Sequence, residues 1–322
     1  METNKYRIEQ FDYNFEKEWN DFVENSKNAT FLHKTEYMHY HSNRFTDCSL
    51  MIWKGKEVVA LLPGNISEDF TFYSHQGLTY GGLLITNNTK LTDVLEYFNI
   101  INHYLNHQKN IKKVIYKPVP YIYSEVASQE DEYALFRLGA RRIACGASST
   151  IVLNNKIKVS SLRKRKIKKS QSNQFNIKID SKYEEFWGIL ENNLVNRYAT
   201  KPVHSIEELK LLKERFPNEI KVFSVYLNNE CVAGVVIYIV GKVAHVQYIA
   251  SNDTGKQTSA LDYLFNYLIE EVFYEMNYFD FGTSVEENGY QLNEGLIFQK
   301  EGFGARTVVY NQYEYYLKEV LK

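Results

Sequence analysis

The sequence is short of cysteine, of long apolar runs and of net charge, and each shortage removes a class of function. Cys48, Cys145 and Cys231 are its only cysteines. Odd in number, far apart and without metal-ligand spacing, they argue against a disulfide framework and suit a reducing compartment. The longest apolar run, Val232 to Val240, is far too short to span a bilayer and reads as a buried strand. The opening residues, Met-Glu-Thr-Asn-Lys-Tyr, lack the apolar core of a signal peptide, so a cytoplasmic protein with no membrane span is expected. Lys and Arg number 38 against 39 Asp and Glu, a net charge of −1, so no global field draws in nucleic acid or anionic lipid. No P-loop, Gly-x-Ser-x-Gly elbow, EF-hand loop or His/Cys cluster occurs, and no metal is expected.

What the chain has in quantity is aromatic surface, 26 Tyr and 19 Phe. Tyrosine gives apolar area with a hydroxyl handle, which favours grooves and interfaces. At 322 residues the chain suits two domains of about 150 residues each.

Periodicity gives the order of elements. In the second half, Phe175–Ile179 alternates as a strand. Helical stretches follow over Tyr183–Arg197 and Ser205–Arg215, the latter with Ser205 as N-cap, Glu208 three residues on and Pro217 beyond its end. Lys221–Leu227, Cys231–Val240 and Val243–Ala250, joined by Asn-Asn-Glu and Gly-Lys turns, read as an antiparallel meander. Leu261, Leu264, Phe265, Leu268, Ile269, Val272 and Phe273 form one apolar helical stripe. Tyr278–Phe281 is a strand, Leu292–Lys300 a short helix and Arg306–Tyr316 a closing strand. The first half repeats this order: helices over Phe15–Val23 and Thr35–His41, strands Ser49–Trp53 and Val58–Leu62, and a strand region Phe70–Tyr80. A stripe from Leu91 to Leu105, strand Val114–Tyr116, helix Tyr133–Leu138 and strand Thr150–Leu153 complete it. Such repetition predicts a duplicated α/β (α+β) fold, with domains 1–155 and 156–322, each a mixed, mostly antiparallel sheet flanked by helices.

That order, together with Ser74-His75-Gln76-Gly77-Leu78-Thr79-Tyr80-Gly81-Gly82, Pro202-Val203-His204, His245-Val246-Gln247-Tyr248, Asp280-Phe281-Gly282-Thr283-Ser284, Asn288-Gly289, Leu292-Asn293 and Lys300-Glu301-Gly302-Phe303-Gly304, resembles the FemAB-like branch of the GNAT acyltransferases in its compact bacterial two-unit form. The resemblance covers essentially the whole chain. It implies transfer of an acyl group, from acyl-CoA as co-substrate, to an amine on a sugar or cell-surface precursor. Aminoacyl-tRNA as donor, or a non-catalytic pair serving as a binding or scaffold protein, are the alternatives; nucleic acid is a partner only in the first of these. GNAT proteins that use acetyl-CoA carry a Gln/Arg-x-x-Gly-x-Gly/Ala turn for the pyrophosphate. Here Thr254-Gly255-Lys256-Gln257-Thr258-Ser259-Ala260 stands in that place, lacking the full glycine pattern, and Gly255, Lys256, Thr258 and Ser259 are the expected donor-binding residues.

Acyl transfer needs a base for the ammonium proton and donors for the oxyanion. His245 and Gln247 are two apart on a strand, hence on one face about 6–7 Å apart; His245 suits proton transfer or a hydrogen-bonded core position. Asp280 ends a strand before a polar, glycine-containing segment, the place where α/β folds put ligands or a capped turn. His245 and Asp280 are the expected catalytic pair. His75, Tyr80, His204, Gln247, Tyr248, Ser284, Asn288 and Asn293 are the expected substrate contacts, converging on one groove. The run Arg163-Lys164-Arg165-Lys166-Ile167-Lys168-Lys169 reads as a helix with a solvated face, capped by Ser160 or Ser161, that also lines the phosphate side of a donor site.

Overall fold

A computed structural model describes residues 5–317, with the side chains at 41, 197 and 198 set aside. The first four residues, part of the segment read above for a leader, lie outside it. The elements run β1 (Arg7–Gln10), α1 (Glu16–Asn25), α2 (Thr35–Met38), β2 (Thr46–Asp47), β3 (Leu50–Lys54), β4 (Glu57–Leu62), β5 (Asn65–Ile66), β6 (Thr71–Tyr73), β7 (Leu84–Ile85), α3 (Leu91–Lys109), β8 (Lys113–Tyr116), α4 (Glu130–Arg137) and β9 (Arg141–Val152). Then come α5 (Ser161–Ser170), β10 (Asn176–Ile179), α6 (Tyr183–Tyr198), α7 (Ile206–Arg215), β11 (Ile220–Leu227), β12 (Glu230–Val240) and β13 (Val243–Ser251). Last are α8 (Asp253–Thr258), α9 (Ala260–Tyr267), β14 (Tyr278–Thr283), β15 (Val285–Glu286), β16 (Gln291–Leu292), α10 (Glu294–Glu301) and β17 (Arg306–Tyr316).

The chain makes two compact units. The first holds the described residues up to Gly146, Glu287–Gln291 and those from Val309 on; the second holds Ala147–Glu286 and Leu292–Val308. The expected division at 155/156 therefore needs correction. Two long strands cause it: β9 and β17 each begin in one unit and end in the other, which a boundary drawn at a single point in the sequence cannot express.

In the first unit one antiparallel sheet has the order β1-β3-β4-β7, and a second runs β17-β8-β6-β5-β2. Strands β6 and β8 are parallel, Tyr73 opposite Ile115, and α3 lies between them in sequence, as parallel neighbours require a crossover. Its stripe buries Val94, Phe98, Ile101 and Leu105 in the core beside Leu50, Phe72 and Tyr116. The expected strand region Phe70–Tyr80 shrinks to Thr71–Tyr73. From Ser74 to Leu83 the chain is irregular, because its polar groups bond the end of β8 rather than a ladder.

In the second unit the order is β10-β11-β12-β13-β14-β9. All neighbours are antiparallel except β13 and β14. Ser205 and Glu208 cap α7 reciprocally, with Oγ accepting from the Glu208 N–H at 3.1 Å and Oε2 from the Ser205 N–H at 2.7 Å. The stripe expected as one helix over Leu261–Phe273 is α9 followed by a π-helical turn over Leu268–Val272. A separate short helix, α8, precedes it across Ser259, whose φ is +59°. The strand expected at Thr150–Leu153 begins nine residues earlier, at Arg141, since the run Arg141–Ser149 has too few β-branched residues to announce itself.

Candidate active site

Strand alternation builds the site. Phe279 and Phe281 point one way from β14 and join Phe265 and Phe303 in contacts that are edge-on except for the tilted Phe281–Phe303 pair, centroids 4.9 to 6.1 Å apart. Such pairs contribute about 0.5–1.5 kcal/mol each beyond area burial, and they fix the strand. Asp280, on the opposite face, has no solvent exposure at all. Its carboxylate accepts from Ser148 Oγ at 2.5 Å, Thr150 Oγ1 at 2.8 Å and the Gly282 N–H at 3.3 Å, all on Oδ1. Oδ2 faces His245 Nδ1 at 2.7 Å. A carboxylate only accepts, so Nδ1 carries the hydrogen and Nε2 is the ring's basic nitrogen. The buried charge is thereby hydrogen-bonded on both oxygens, as its burial demands.

His245 and Asp280 are also the last partners in the parallel ladder: Val243 pairs Tyr278, Ala244 pairs Phe279, His245 pairs Asp280, and pairing stops. Beyond it β13 runs on to Ser251 beside β12, while β14 turns at Gly282, where φ is +74°. The dyad thus stands at the mouth of the divergence between two parallel strands. A Cβ at Gly282 would lie 3.3 Å from the Val246 carbonyl and in ordinary contact, 3.5 Å, with His245 Cε1, so it is the positive φ, more than the space, that calls for glycine at this turn.

The register of β12 and β13 jumps from Ile237 opposite Val246 to Val236 opposite Tyr248. Gln247 is the bulged residue, and the simple alternation expected to set it on the face of His245 is interrupted there. Next along the strand, the Tyr248 hydroxyl lies 2.6 Å from His204 Nδ1 and accepts from the His204 N–H at 3.3 Å. Burial pushes this phenol up to about 12, against hydrogen bonds from His204 and Gln247. Trp187 packs edge-on against the same ring. His204, Gln247 and Tyr248 are therefore one cluster, two to three residues along β13 from His245. Ser284 is buried and its hydroxyl accepts from Lys300 Nζ at 2.7 Å. Asn293 caps α10, accepting from the Leu296 N–H at 3.1 Å, and its own N–H bonds the Ser284 carbonyl.

Three expected substrate residues belong to the first unit. His75, with φ +64°, packs on Phe45 and lines a cavity of about 250 Å³ with His39 and Asp47. Tyr80 stacks on Tyr123, centroids 4.8 Å apart. Asn288 sits in a left-handed turn beside Cys145 and Tyr290. The glycines around them serve the chain itself: a Cβ at Gly81 would fall 1.9 Å from the Ser74 carbonyl.

The expected pyrophosphate turn takes the form of a short helix capped by Asn252. Gly255, Lys256 and Thr258 lie in α8, and Ser259 ends it. The Gly255 N–H donates to Asn252 Oδ1 and the Lys256 N–H to the Asn252 carbonyl. Lys256 Nζ pairs with Asp253, Thr258 Oγ1 donates to the Thr254 carbonyl, and the Ser259 N–H bonds the Lys256 carbonyl. Gly255 is a glycine because a Cβ there would lie 2.3 Å from the Val232 carbonyl. Asp262, in the first turn of α9, is buried and ion-paired with Arg163.

Arg163 thereby corrects the solvated-face reading at its own position: it is buried, ion-paired and stacked over Phe303 at 5.5 Å. Lys164, Arg165, Lys168 and Lys169 are exposed. Sequence reasoning also missed Ser148, Thr150 and Lys300. The first two had a signal: two small hydroxyl residues spaced two apart on a strand face one way, which is costly inside a sheet unless a polar partner waits there.

Among the described residues no three or more His, Cys, Asp and Glu are placed to hold a metal ion, and no helix is long and apolar enough to cross a membrane. A family model for the acetyltransferase (GNAT) domain matches residues 163–291. Solved structures similar in fold include FemX, at 9% identity with 96% of this chain and 97% of that one covered and a TM-score of 0.66. The L-PGS from Bacillus licheniformis gives 11%, 94%, 91% and 0.58. A tandem GNAT protein from the clavulanic acid biosynthesis pathway gives 11%, 98%, 99% and 0.53. No curated protein sequence matches the chain. Residues 163–291 match the GNAT acetyltransferase domain, and over nearly its whole length the chain is similar in fold to FemX and to the tandem GNAT protein.

Proposed function

We propose that the chain is an N-acyltransferase whose second unit transfers an acyl group from an activated ester or thioester to an amine on a sugar or cell-surface precursor. The observation that carries this reading is the pairing of part-exposed His245 with buried Asp280 at the point where β13 and β14 part. The amine nitrogen attacks the acyl carbonyl, and the C–O or C–S bond to the donor breaks. His245 Nε2 takes the ammonium proton, while Asp280, held by Ser148 and Thr150, keeps the ring oriented and stabilises the imidazolium. Backbone N–H groups around the Gln247 bulge are assigned to the developing oxyanion, and the His204–Tyr248 cluster to the acceptor.

Acyl-CoA is the donor that the GNAT match supports. With the Gly255 and Lys256 N–H groups spent on Asn252, side chains would share in holding the donor's phosphates, and the exposed cations of α5 are suited to that. The same two observations favour a second reading, an aminoacyl-tRNA donor. Acyl-CoAs, free CoA and charged tRNA compared by thermal shift separate the two, because a ligand at a hundred times its dissociation constant stabilises by about 2.7 kcal/mol. His245→Ala and Asp280→Asn are expected to cut turnover by about a hundredfold or more. Full activity in both variants removes the acid–base assignment, and no stabilisation by any donor favours a binding or scaffold protein.

A further inference from the structure

Lys300 lies in the last turn of α10 and is 7% exposed. Its ammonium donates to the Gly282 carbonyl at 2.8 Å, the Thr283 carbonyl at 3.2 Å and Ser284 Oγ at 2.7 Å. All three donors of one buried cation are thus spent on three consecutive residues at the end of β14. Among the described residues it makes no ion pair with a carboxylate. The nearest charges are accounted for elsewhere: Asp280 is bonded to His245, and Arg163, beside Gly302, is paired with Asp262. A long cation kept inside the protein without a carboxylate partner is costly, so its position calls for a local reason.

The reason lies in what those carbonyls do not do. The β13–β14 ladder ends at His245 and Asp280, and against β9 the register of β14 shifts between Asp280 and Thr283. Past Asp280 the strand keeps its pairing on the β9 side, with Thr283 opposite Ser148 and the Ser284 N–H on the Ala147 carbonyl, but has none with β13. We propose that Lys300 is a positioning residue that draws the Gly282–Ser284 backbone away from β13 and so sets the opening beside His245. The assignment of a role in turnover rests on the function proposed above; the clamp itself does not. Burial pulls the Lys300 ammonium down to about 8, with Asp280 opposing, so the clamp weakens in mildly alkaline solution. The neutral amine loses its charge-assisted bonds, and such bonds are about twice as strong as neutral ones.

Hydrogen exchange on the full chain tests this without a substrate. In Lys300→Met, amides of peptide 279–286 are expected to exchange about tenfold faster at pH 7, with peptides from β11 and β12 unchanged. In the unmodified protein, protection of 279–286, corrected for intrinsic hydroxide catalysis, is expected to fall severalfold between pH 7 and 9.5, and to stay flat in Lys300→Met. Where a donor is found, kcat drops at least about tenfold in the variant. Unchanged protection of 279–286, loosening spread evenly over the unit, or a pH-independent wild type each overturns the proposal. If the variant does not fold, the wild-type pH series decides alone. Absence of turnover with every donor refutes the enzyme reading and leaves the exchange result to stand or fall by itself.

Discussion

His33 offers a quantitative test of how the first unit is held together. Its ring is fully buried, and Nδ1 accepts the Thr30 N–H at 3.0 Å. Burial lowers the imidazole from 6.5 to about 4. The unfolded chain then binds a proton that the folded one refuses, so this stability is complete above pH 6.5 and is lost as pH falls through 4. At about 1.4 kcal/mol per pKa unit the loss is about 3 kcal/mol. Asp131 in the same unit runs the other way. Burial raises its carboxyl from 3.8 to about 7, with the Tyr116 hydroxyl donating to Oδ2 at 2.8 Å. Its contribution is complete below pH 3.8 and declines by about 4 kcal/mol as pH rises to 7.

The two slopes nearly cancel, so the wild-type curve of stability against pH between 4 and 7 is expected to be shallow. Removing either group exposes the other. His33→Asn keeps an acceptor for Thr30 and should grow more stable as pH falls; Asp131→Asn should grow less stable. The three tryptophan indole resonances report this unit by unit, since Trp19 donates to the His33 carbonyl at 2.8 Å in the first unit and Trp187 packs on Tyr248 in the second. Urea unfolding is followed on the Trp19 resonance at pH 4.5 and 7. Curves for the two variants that run parallel to the wild type would refute the reasoning, because neither group would then differ in protonation between folded and unfolded chains.

Arg163→Met should cost about 3–5 kcal/mol on the Trp187 resonance, because it strands the buried Asp262 carboxylate, and Asp262→Leu in the same chain should recover much of the loss. Replacing Arg165, Lys168 and Lys169 together with Gln should leave the unfolding midpoint unchanged while weakening any phosphate-bearing donor and flattening the salt dependence of its binding. An unchanged salt slope makes that face solvent-facing only. Gly81→Ala should destabilise the first unit by about 2 kcal/mol or more, read on Trp19, since its Cβ meets the Ser74 backbone at 1.9 Å.

The architecture was legible wherever one periodicity held over a long stretch. The stripe from Leu91 to Leu105 and the β11–β13 meander announce themselves because each buries one face or both. Signals failed where a residue answers to a partner far away in sequence. Ser148 and Thr150 show only that two hydroxyls share a strand face; that their partner is Asp280, 130 and more positions on, is not in the local pattern. Lys300 reads as the basic end of a helix, a favourable place for any lysine, although its ammonium is turned inward. Gly255 is expected to hold a donor, and Gly81 lies in a glycine-rich segment open to close approach. In both, the approaching backbone is the protein's own, a distinction that a single sequence does not carry.

The two units follow one element order yet treat the corresponding strand divergence in opposite ways, and a lysine, half-buried in the first and buried in the second, is involved in each. In the first, pairing of β6 with β8 passes Tyr73 and Ile115 and is then bridged: the Ser74 N–H bonds the Ile115 carbonyl, Ser74 Oγ accepts the Lys117 N–H, and the Gly81 N–H bonds the Lys117 carbonyl. Lys117 Nζ closes the segment by donating to the Leu78 carbonyl, and burial pulls it to about 8. Its lysine stands on the second parallel strand and stitches the segment that follows the first strand across the gap. In the second unit the lysine stands on α10, outside the strand pair, and takes carbonyls from the end of β14. The first arrangement fills the wedge with backbone; the second leaves it lined by an imidazole backed by a buried carboxylate. Substituting Lys117 by Met should therefore loosen residues 74–82 in hydrogen exchange without changing donor binding, whereas Lys300→Met should loosen 279–286 and change donor binding as well. Equal effects of the two substitutions on donor binding would contradict the assignment of the chemistry to the second unit.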